Sequence, residues 1–233
     1  FDVIDFESDL SKYKVIILPD VIRADIDFAK RLREFCDCGG KVLATGKSAL
    51  YENSNEFCLN LGAEWIRENP YFNRTRAHFC SHQHTPNSCE YGGAGMTEGK
   101  DGIYIAWNIF ADYAQSGELH LKQMAIFALD RLLDSAKTLK TNLPAQGIVT
   151  LMKQSDRLIC HLLYASPVKR GNGIEVIEDI VPIYNVELAI KTDKKINKVY
   201  LAPQKEDIDF TYENGYISVK LDKIECHQMV VFE

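Results

Sequence analysis

Apolar positions in the first part of the chain alternate between continuous runs and helical stripes. The segment "YKVIILP" at 13–19 is a continuous apolar run that ends at a proline, as expected of a strand buried on both faces. In the next segment, "ADIDFAKRLREFCDCGG", Phe28, Leu32 and Phe35 share one face of a helix that two glycines end. "KVLATG" then predicts a second strand. This order of strand, helix and strand predicts an α/β domain with a parallel, doubly wound sheet.

Four further segments extend this pattern. The chain opens in what reads as a strand at 1–6, and "NEFCLNLGAEW" at 55–65 predicts a short helix that Gly62 ends. "DGIYIAWNIF" at 101–110 predicts another strand. "ELHLKQMAIFALDRLLDS" at 118–135 carries an inward-facing apolar stripe and predicts the helix that closes the domain.

Further along the chain, the period of the apolar positions changes from helical to two-residue alternation. Two short strands meet at 155–156, and Asn214-Gly215 lies between alternating strands, which is the strongest short-range hairpin signal. About seven short strands in this region predict an antiparallel β-sandwich. We therefore expect two domains, at 1–142 and 143–233.

Charge and composition narrow the classes of partner. The formal net charge is −6 and no long basic run is present, so nucleic acid is not expected as a partner. No stretch approaches the roughly 20 apolar residues of a membrane-spanning helix, so no membrane partner is expected either. Seven cysteines without a repeated disulfide spacing indicate reduced thiols and a cytoplasmic protein, with an exported protein that carries a few free thiols as the weaker alternative. A start at Phe1 rather than Met suggests a piece of a longer polypeptide.

The tripeptide Gly46-Lys47-Ser48 raises the possibility of nucleotide binding, which its context excludes. A phosphate-binding loop needs a glycine five positions before Gly46, after a strand, and this chain has Lys41 at the start of the strand itself. A nucleophile elbow needs a glycine two positions after the serine, where Leu50 stands. We expect no ATP or GTP site, no serine nucleophile and no cofactor here.

The longest segment without a regular pattern, 64–102, is rich in aromatic, arginine and histidine residues. Loops of this length in compact domains are usually functional or disordered, and the aromatic content argues against disorder. One interpretation is a His-rich strand whose side chains are satisfied within the fold; the other is a pocket lining that holds a polar ligand. The candidate ligand-binding side chains are Trp65, Tyr71, Arg74, Arg76, His78, His82 and His84.

The same segment contains residue types that bind zinc. Cys80, His82, His84 and Cys89 are potential ligands, but their spacing lacks the second separated pair of a structural zinc site. We therefore expect no metal, with a zinc-dependent enzyme as the weaker alternative. His161, inside "LICHLLYA", is interpreted as a sandwich histidine without a chemical role.

Several of these segments together resemble a known family. "FESDLSKYKVIILPDV", "FCDCGGKVLATGKSAL" and "NLGAEW" resemble the β-galactosidase trimerisation domain, a relative of the class I glutamine amidotransferase fold that has lost its nucleophile. The later "LPAQGIVTLMKQSDRLICHLLYA" and "GIEVIEDIVPIYNVELAIK" are similar to the C-terminal β-domain of the same glycoside hydrolases, in the α-L-fucosidase-like branch. The fold implied is a flavodoxin-like (amidotransferase-like) domain followed by an antiparallel β-sandwich.

The resemblance implies an accessory role in a glycosidase that is either α-L-fucosidase-like or β-galactosidase-like. The family's catalytic carboxylates belong to an upstream β/α-barrel, so a carbohydrate substrate would be held there and this chain would serve homo-oligomer assembly. The His/Arg-rich segment would be placed to edge the active site of the barrel. An independent module that binds a small polar molecule or a sugar through that segment is the alternative.

Overall fold

The computed structural model describes residues 1–65, 94–134 and 137–233, which form two compact units. The first unit spans Phe1–Ser135 and the second spans Ala136–Glu233. This division lies a few residues before the expected boundary at 142/143. The reason is the strand Leu139–Thr141, which pairs with a strand of the second unit.

A four-stranded sheet forms the centre of the first unit. Its strand order is β1-β2-β4-β3, in which β1, β2 and β4 are parallel and β3 is an antiparallel strand at one edge. The predicted parallel sheet is thus confirmed, with one antiparallel strand added. The strands are β1 (Val15–Leu18), β2 (Lys41–Thr45), β3 (Met96–Glu98) and β4 (Gly102–Ile105).

Helices cover both faces of this sheet, as a doubly wound fold requires. Helix α1 packs Phe28, Leu32 and Phe35 against the face that includes Val42 and Ala44. Helices α2 and α3 pack in a second cluster on the opposite face. The helices are α1 (Ile26–Asp37), α2 (Ile109–Ser116) and α3 (Leu119–Leu133), and a short 3-10 turn spans Leu10–Lys12.

Two predictions for the first unit are wrong, namely the strand at 1–6 and the helix at 55–65. Residues 1–6 form no strand, because the Asp5 carboxylate accepts hydrogen bonds from the Ser8 hydroxyl and the Glu7 N–H and folds the backbone into a turn. Residues 55–65 form no helix, because their backbone bonds to distant partners instead. The Cys58 N–H donates to the Ala49 carbonyl and the Asn60 N–H donates to the Asp101 carboxylate, at 2.8 Å each.

The predicted strand at 101–110 is shorter in the structure. It ends at Ile105, and helix α2 begins at Ile109. The apolar residues of "GIYIAWNIF" thus serve two elements, a buried strand and the first turn of a helix, which a continuous apolar run does not distinguish.

The second unit is built from antiparallel sheets, as predicted. One sheet has the order β13-β14-β10-β5, another has the order β12-β11-β15-β7-β6, and β8 pairs with β9. The strands are β5 (Leu139–Thr141), β6 (Ile148–Gln154), β7 (Arg157–Leu163), β8 (Val168–Gly171), β9 (Ile174–Val176), β10 (Ile183–Lys191), β11 (Val199–Ala202), β12 (Glu206–Asp207), β13 (Phe210–Glu213), β14 (Tyr216–Ile224) and β15 (His227–Phe232).

One apolar cluster joins the two larger sheets into a sandwich. Leu188 and Val219 from the first sheet lie in the same cluster as Leu162, Val230 and Phe232 from the second. Each such side chain removed from water contributes roughly 1.5–3 kcal/mol. The inward side chains alternate with outward ones along each strand, so every strand also presents an outer face.

The Asn-Gly hairpin lies where the sequence predicts it. Asn214 and Gly215 connect β13 to β14 with φ values of 53° and 79°. Both residues adopt the left-handed backbone conformation that a type I′ turn requires, and asparagine and glycine adopt it at low energetic cost.

Candidate functional site

The carboxyl end of a parallel sheet is the usual place for a ligand in an open α/β fold. In the first unit, Asp20 occupies this place, two residues after β1. Its side chain is buried, and its Oδ1 accepts a 2.6 Å hydrogen bond from the Thr45 hydroxyl at the end of β2. Its Oδ2 accepts a 2.7 Å bond from the Ala111 N–H in the first turn of α2. One carboxylate therefore ties two strands to a helix.

Asp20 also supplies the cap that α2 lacks locally. The N-cap residue of this helix, Asn108, makes no side-chain capping bond. A helix N-terminus carries unpaired N–H groups and a partial positive charge, which is why such termini bind anions. Here the carboxylate of Asp20 fills that position from a remote part of the chain, so the site is closed by the protein itself.

The neighbouring loop after β2 is equally closed. Ser48 is fully buried, and its Oγ accepts a 3.0 Å hydrogen bond from the Ile22 N–H. The carbonyl of Gly46 accepts a 2.7 Å bond from the Tyr104 hydroxyl, and burial raises the pKa of Tyr104 to about 12. The hydroxyl groups of Ser48 and Tyr104 are thus each hydrogen-bonded to a backbone group. The loop carries no serine positioned to attack a substrate.

Most of the predicted ligand-binding residues lie outside the described residues. Trp65 is described and is half-buried. The others, Tyr71, Arg74, Arg76, His78, His82 and His84, and the alternative zinc ligands Cys80 and Cys89, fall within 66–93. Within the described ranges, no three His, Cys, Asp or Glu side chains come together to hold a metal ion.

His161 lies on the outer face of the sandwich beside a second histidine that the sequence does not connect with it. Its Nδ1 lies 3.1 Å from Nε2 of His227, and the two rings are nearly parallel, at 2°. The two residues are diagonal neighbours on β7 and β15, since His161 pairs with Met229. This contact joins two strands and gathers no third ligand or nucleophile among the described residues.

Apolar side chains are exposed on β1 and in the segment that follows it. Ile17 on β1, Val21 just after it and Ile26 at the start of α1 are 39%, 67% and 77% exposed. Strand β1 pairs on one side with β2, and within the described sheet no strand pairs with its other side. Exposed apolar groups beside a free strand edge are typical of a surface that another chain covers. We call Ile17, Val21 and Ile26 the β1 surface.

No helix among the described residues is long and apolar enough to cross a membrane.

Comparisons with known proteins agree with the resemblance seen in the sequence. The family profile "Beta-galactosidase trimerisation domain" matches residues 1–69. The β1 surface lies inside this match. A comparison with curated protein sequences finds no match.

Two solved structures extend the similarity over the whole chain. α-L-Fucosidase isoenzyme 2 from Paenibacillus thiaminolyticus is 42% identical, with a TM-score of 0.88 over 100% of this chain and 42% of that protein. The GH42 β-galactosidase Gan42B is 16% identical, with a TM-score of 0.55 over 97% of this chain and 33% of that protein. The second similarity shows the fold alone. The chain thus spans less than half the length of either structure.

Proposed function

We propose that this chain is a non-catalytic portion of an α-L-fucosidase-like glycoside hydrolase and that it serves homo-oligomer assembly. The observation that carries the proposal is the 42% identity to an α-L-fucosidase over the whole chain, which covers 42% of that enzyme. The trimerisation-domain match over 1–69 supports the assembly role.

The closed carboxyl end of the sheet supports a non-catalytic role for the first unit. An enzyme of the amidotransferase type needs an accessible nucleophile after a strand of this sheet. Here Ser48 is buried and its Oγ accepts from the Ile22 N–H, while Asp20 is bonded to Thr45 and Ala111. The polar groups at this edge hold the fold together and leave the chemistry to another part of the polypeptide.

The β1 surface supports the position of the assembly contact. A second copy that covers these three exposed apolar side chains removes apolar area from water. Each Å² of apolar area buried in this way stabilises the assembly by about 25 cal/mol. The open edge of β1 adds backbone N–H and C=O groups that a neighbouring copy can pair. We therefore place the contact between copies of this chain at Ile17, Val21 and Ile26.

The substrate class follows the closer relative. We propose α-L-fucosides rather than β-galactosides as substrates of the complete enzyme, because the identity to the fucosidase is 42% and that to the β-galactosidase is 16%. The His/Arg-rich segment at 64–102 is proposed to edge the active site of the catalytic barrel; its arginines and histidines lie outside the described residues.

Hydrolysis of aryl glycosides tests this proposal. We expect the longest natural polypeptide that contains this chain to hydrolyse p-nitrophenyl α-L-fucoside, and the 233-residue chain alone to be inactive. Equal activity per mole in both would contradict the non-catalytic role. Hydrolysis of the β-galactoside in place of the fucoside would overturn the substrate class.

The proposed contribution of the His/Arg-rich segment has its own test in the longer polypeptide. The variants His82→Ala and His84→Ala are expected to lower kcat/KM for the aryl fucoside, with the oligomer mass unchanged. The matched control is His120→Ala, on α3, outside that segment. Unchanged kcat/KM in both variants would remove the segment from the active site.

A further inference from the structure

A groove crosses the outer face of the β13-β14-β10-β5 sheet in the second unit. It encloses about 620 Å³, inside the range of about 300–1,000 Å³ that is usual for small-molecule sites. The residues that line it include Lys140, Glu187, Ala189, Asp209, Ser218 and Lys220. We call it the outer groove.

The strand register explains why the groove lies on the outer face. Leu188 on β10 and Val219 on β14 pair with each other and point into the core. Successive side chains on a strand point to opposite faces, so Ala189 and its partner Ser218 point outward. Glu187 and its partner Lys220 point outward as well.

Small residues form the floor of the groove and long residues form its sides. Ala189 and Ser218 sit opposite each other on the two central strands, and both are half-buried. Lys140 on β5 is the neighbour of Ala189 on one side, and Thr211 on β13 is the neighbour of Ser218 on the other. A short floor between longer flanking side chains produces the depression.

Internal hydrogen bonds hold one wall of the groove in place. The Asn142 side chain donates to the Asn185 carbonyl at 3.0 Å and accepts from the Glu187 N–H at 2.8 Å. The Thr141 hydroxyl donates to the Glu187 carbonyl at 2.7 Å. The Nζ of Lys140 lies 4.0 Å from the centre of the Tyr216 ring. This wall is therefore ordered before any ligand binds, which lowers the entropy lost on binding.

Three charged side chains of the groove, Glu187, Asp209 and Lys220, form no ion pair with any other described residue. Glu187 faces Lys220 across the strands. Their polar atoms are available to an outside molecule. Two ammonium groups and two carboxylates line the groove, so its formal charge is balanced.

This combination points to a class of ligand. An anion would meet the carboxylates of Glu187 and Asp209, and a cation would meet the ammonium groups of Lys140 and Lys220. A neutral polyhydroxyl molecule avoids both conflicts, because each hydroxyl donates to a carboxylate and accepts from an ammonium group. The Ala189 methyl group offers an apolar surface for the C–H face of a sugar ring.

We propose that the outer groove is a saccharide-binding site. The inference does not rest on the proposed assembly function, since it uses residues of the second unit alone. Binding of a saccharide by a chain that is inactive and monomeric would leave it intact.

Saturation-transfer NMR on the whole chain tests the site, with L-fucose, D-galactose and lactose as probes. We expect at least one probe to bind with a Kd on the order of 1 mM. Ser218→Trp fills the floor of the groove and is expected to weaken that binding at least about tenfold. The matched control is Asp222→Asn, on the same strand but outside the groove, which is expected to leave the Kd unchanged.

A second variant protects the test from a folding defect. Glu187→Gln combined with Lys220→Met keeps the size of both side chains and removes their charges, and a circular-dichroism spectrum establishes that each variant is folded. This double variant is also expected to lose at least about tenfold in affinity, because charge-assisted hydrogen bonds are roughly twice as strong as neutral ones. The proposal would be overturned if the natural chain bound none of the probes. It would also be overturned if the folded Ser218→Trp variant and the folded double variant both bound a probe as tightly as the natural chain does.

Discussion

The polar groups of the two units differ in whether the fold itself satisfies them. At the carboxyl end of the first sheet, Asp20, Thr45 and Ser48 are buried, and each hydrogen-bonds to another group of the same unit. In the outer groove of the second unit, Glu187 and Lys220 face each other in solvent without pairing. A buried polar group must be paired or it costs stability, whereas a solvated one is free to bind a ligand. The first region therefore holds the structure, and the second is open to recognition.

The largest expected difference between buried and exposed groups is in the reaction rates of the cysteine thiols. Burial raises the pKa of Cys36 in the first unit and of Cys160 in the second from 9.0 to about 12. Cys38 is exposed. Because the thiolate is the reactive form, we expect Cys36 and Cys160 to react with a disulfide reagent at least about a thousandfold more slowly than Cys38 in the folded chain at pH 8.

The same shift fixes a pH dependence of stability. A thiol whose pKa is higher in the folded state leaves stability unchanged below pH 9.0 and lowers it as the pH rises towards about 12.

Mass spectrometry of the labelled peptides measures the rates at which the disulfide reagent labels the three cysteines. Rapid labelling of Cys36 or Cys160 under native conditions would show that the closed regions open readily.

The next largest effect is expected at Asp20. Asp20→Ala leaves the Thr45 hydroxyl and the Ala111 N–H without their acceptor, so we expect the free energy of unfolding of the first unit to fall by about 3 kcal/mol. Thermal unfolding followed by circular dichroism measures the change. Asp20→Asn, which keeps one carbonyl oxygen as an acceptor, serves as the control and is expected to lose less. An unchanged unfolding midpoint in Asp20→Ala would contradict the structural role of this carboxylate.

The smallest effect is expected in the outer groove. Glu187→Gln with Lys220→Met removes two charges that have no internal partner, so the free energy of unfolding is expected to change by less than about 0.5 kcal/mol. Urea unfolding of this variant beside Asp20→Ala gives the comparison directly. A loss above about 1 kcal/mol would mean that the two side chains stabilise the sandwich, and the contrast between the units would disappear.

Elements whose signals are local could be predicted from the sequence. Helix α1 has its apolar stripe, and its N-cap Asp25 accepts from the Phe28 N–H at 2.7 Å. The hairpin at Asn214-Gly215 depends on two adjacent residues that tolerate positive φ. In each case the information lies within a few positions of the element it specifies.

Features that depend on remote partners could not be predicted from the sequence, because they have no local signal. The bond from Ala111 to Asp20 joins residues 91 positions apart, and no pattern near either one indicates the other. The segment 55–65 has helical spacing, but its bonds to Ala49 and Asp101 hold it in a non-helical path. The unpaired charges of the outer groove became visible through the strand register, which pairs Glu187 with Lys220.

The most direct test of the assembly role is the molar mass of the chain in solution, measured by light scattering over a range of concentrations. We expect about three times the 26.5 kDa of one chain, and a single-chain mass for the double variant Val21→Lys and Ile26→Lys. Tyr212→Lys, which changes an apolar residue of the second unit with 63% exposure, is the control and should keep the higher mass. A natural chain of 26.5 kDa at every concentration would contradict self-assembly through this chain, and an undiminished mass in the double variant would remove the contact from the β1 surface.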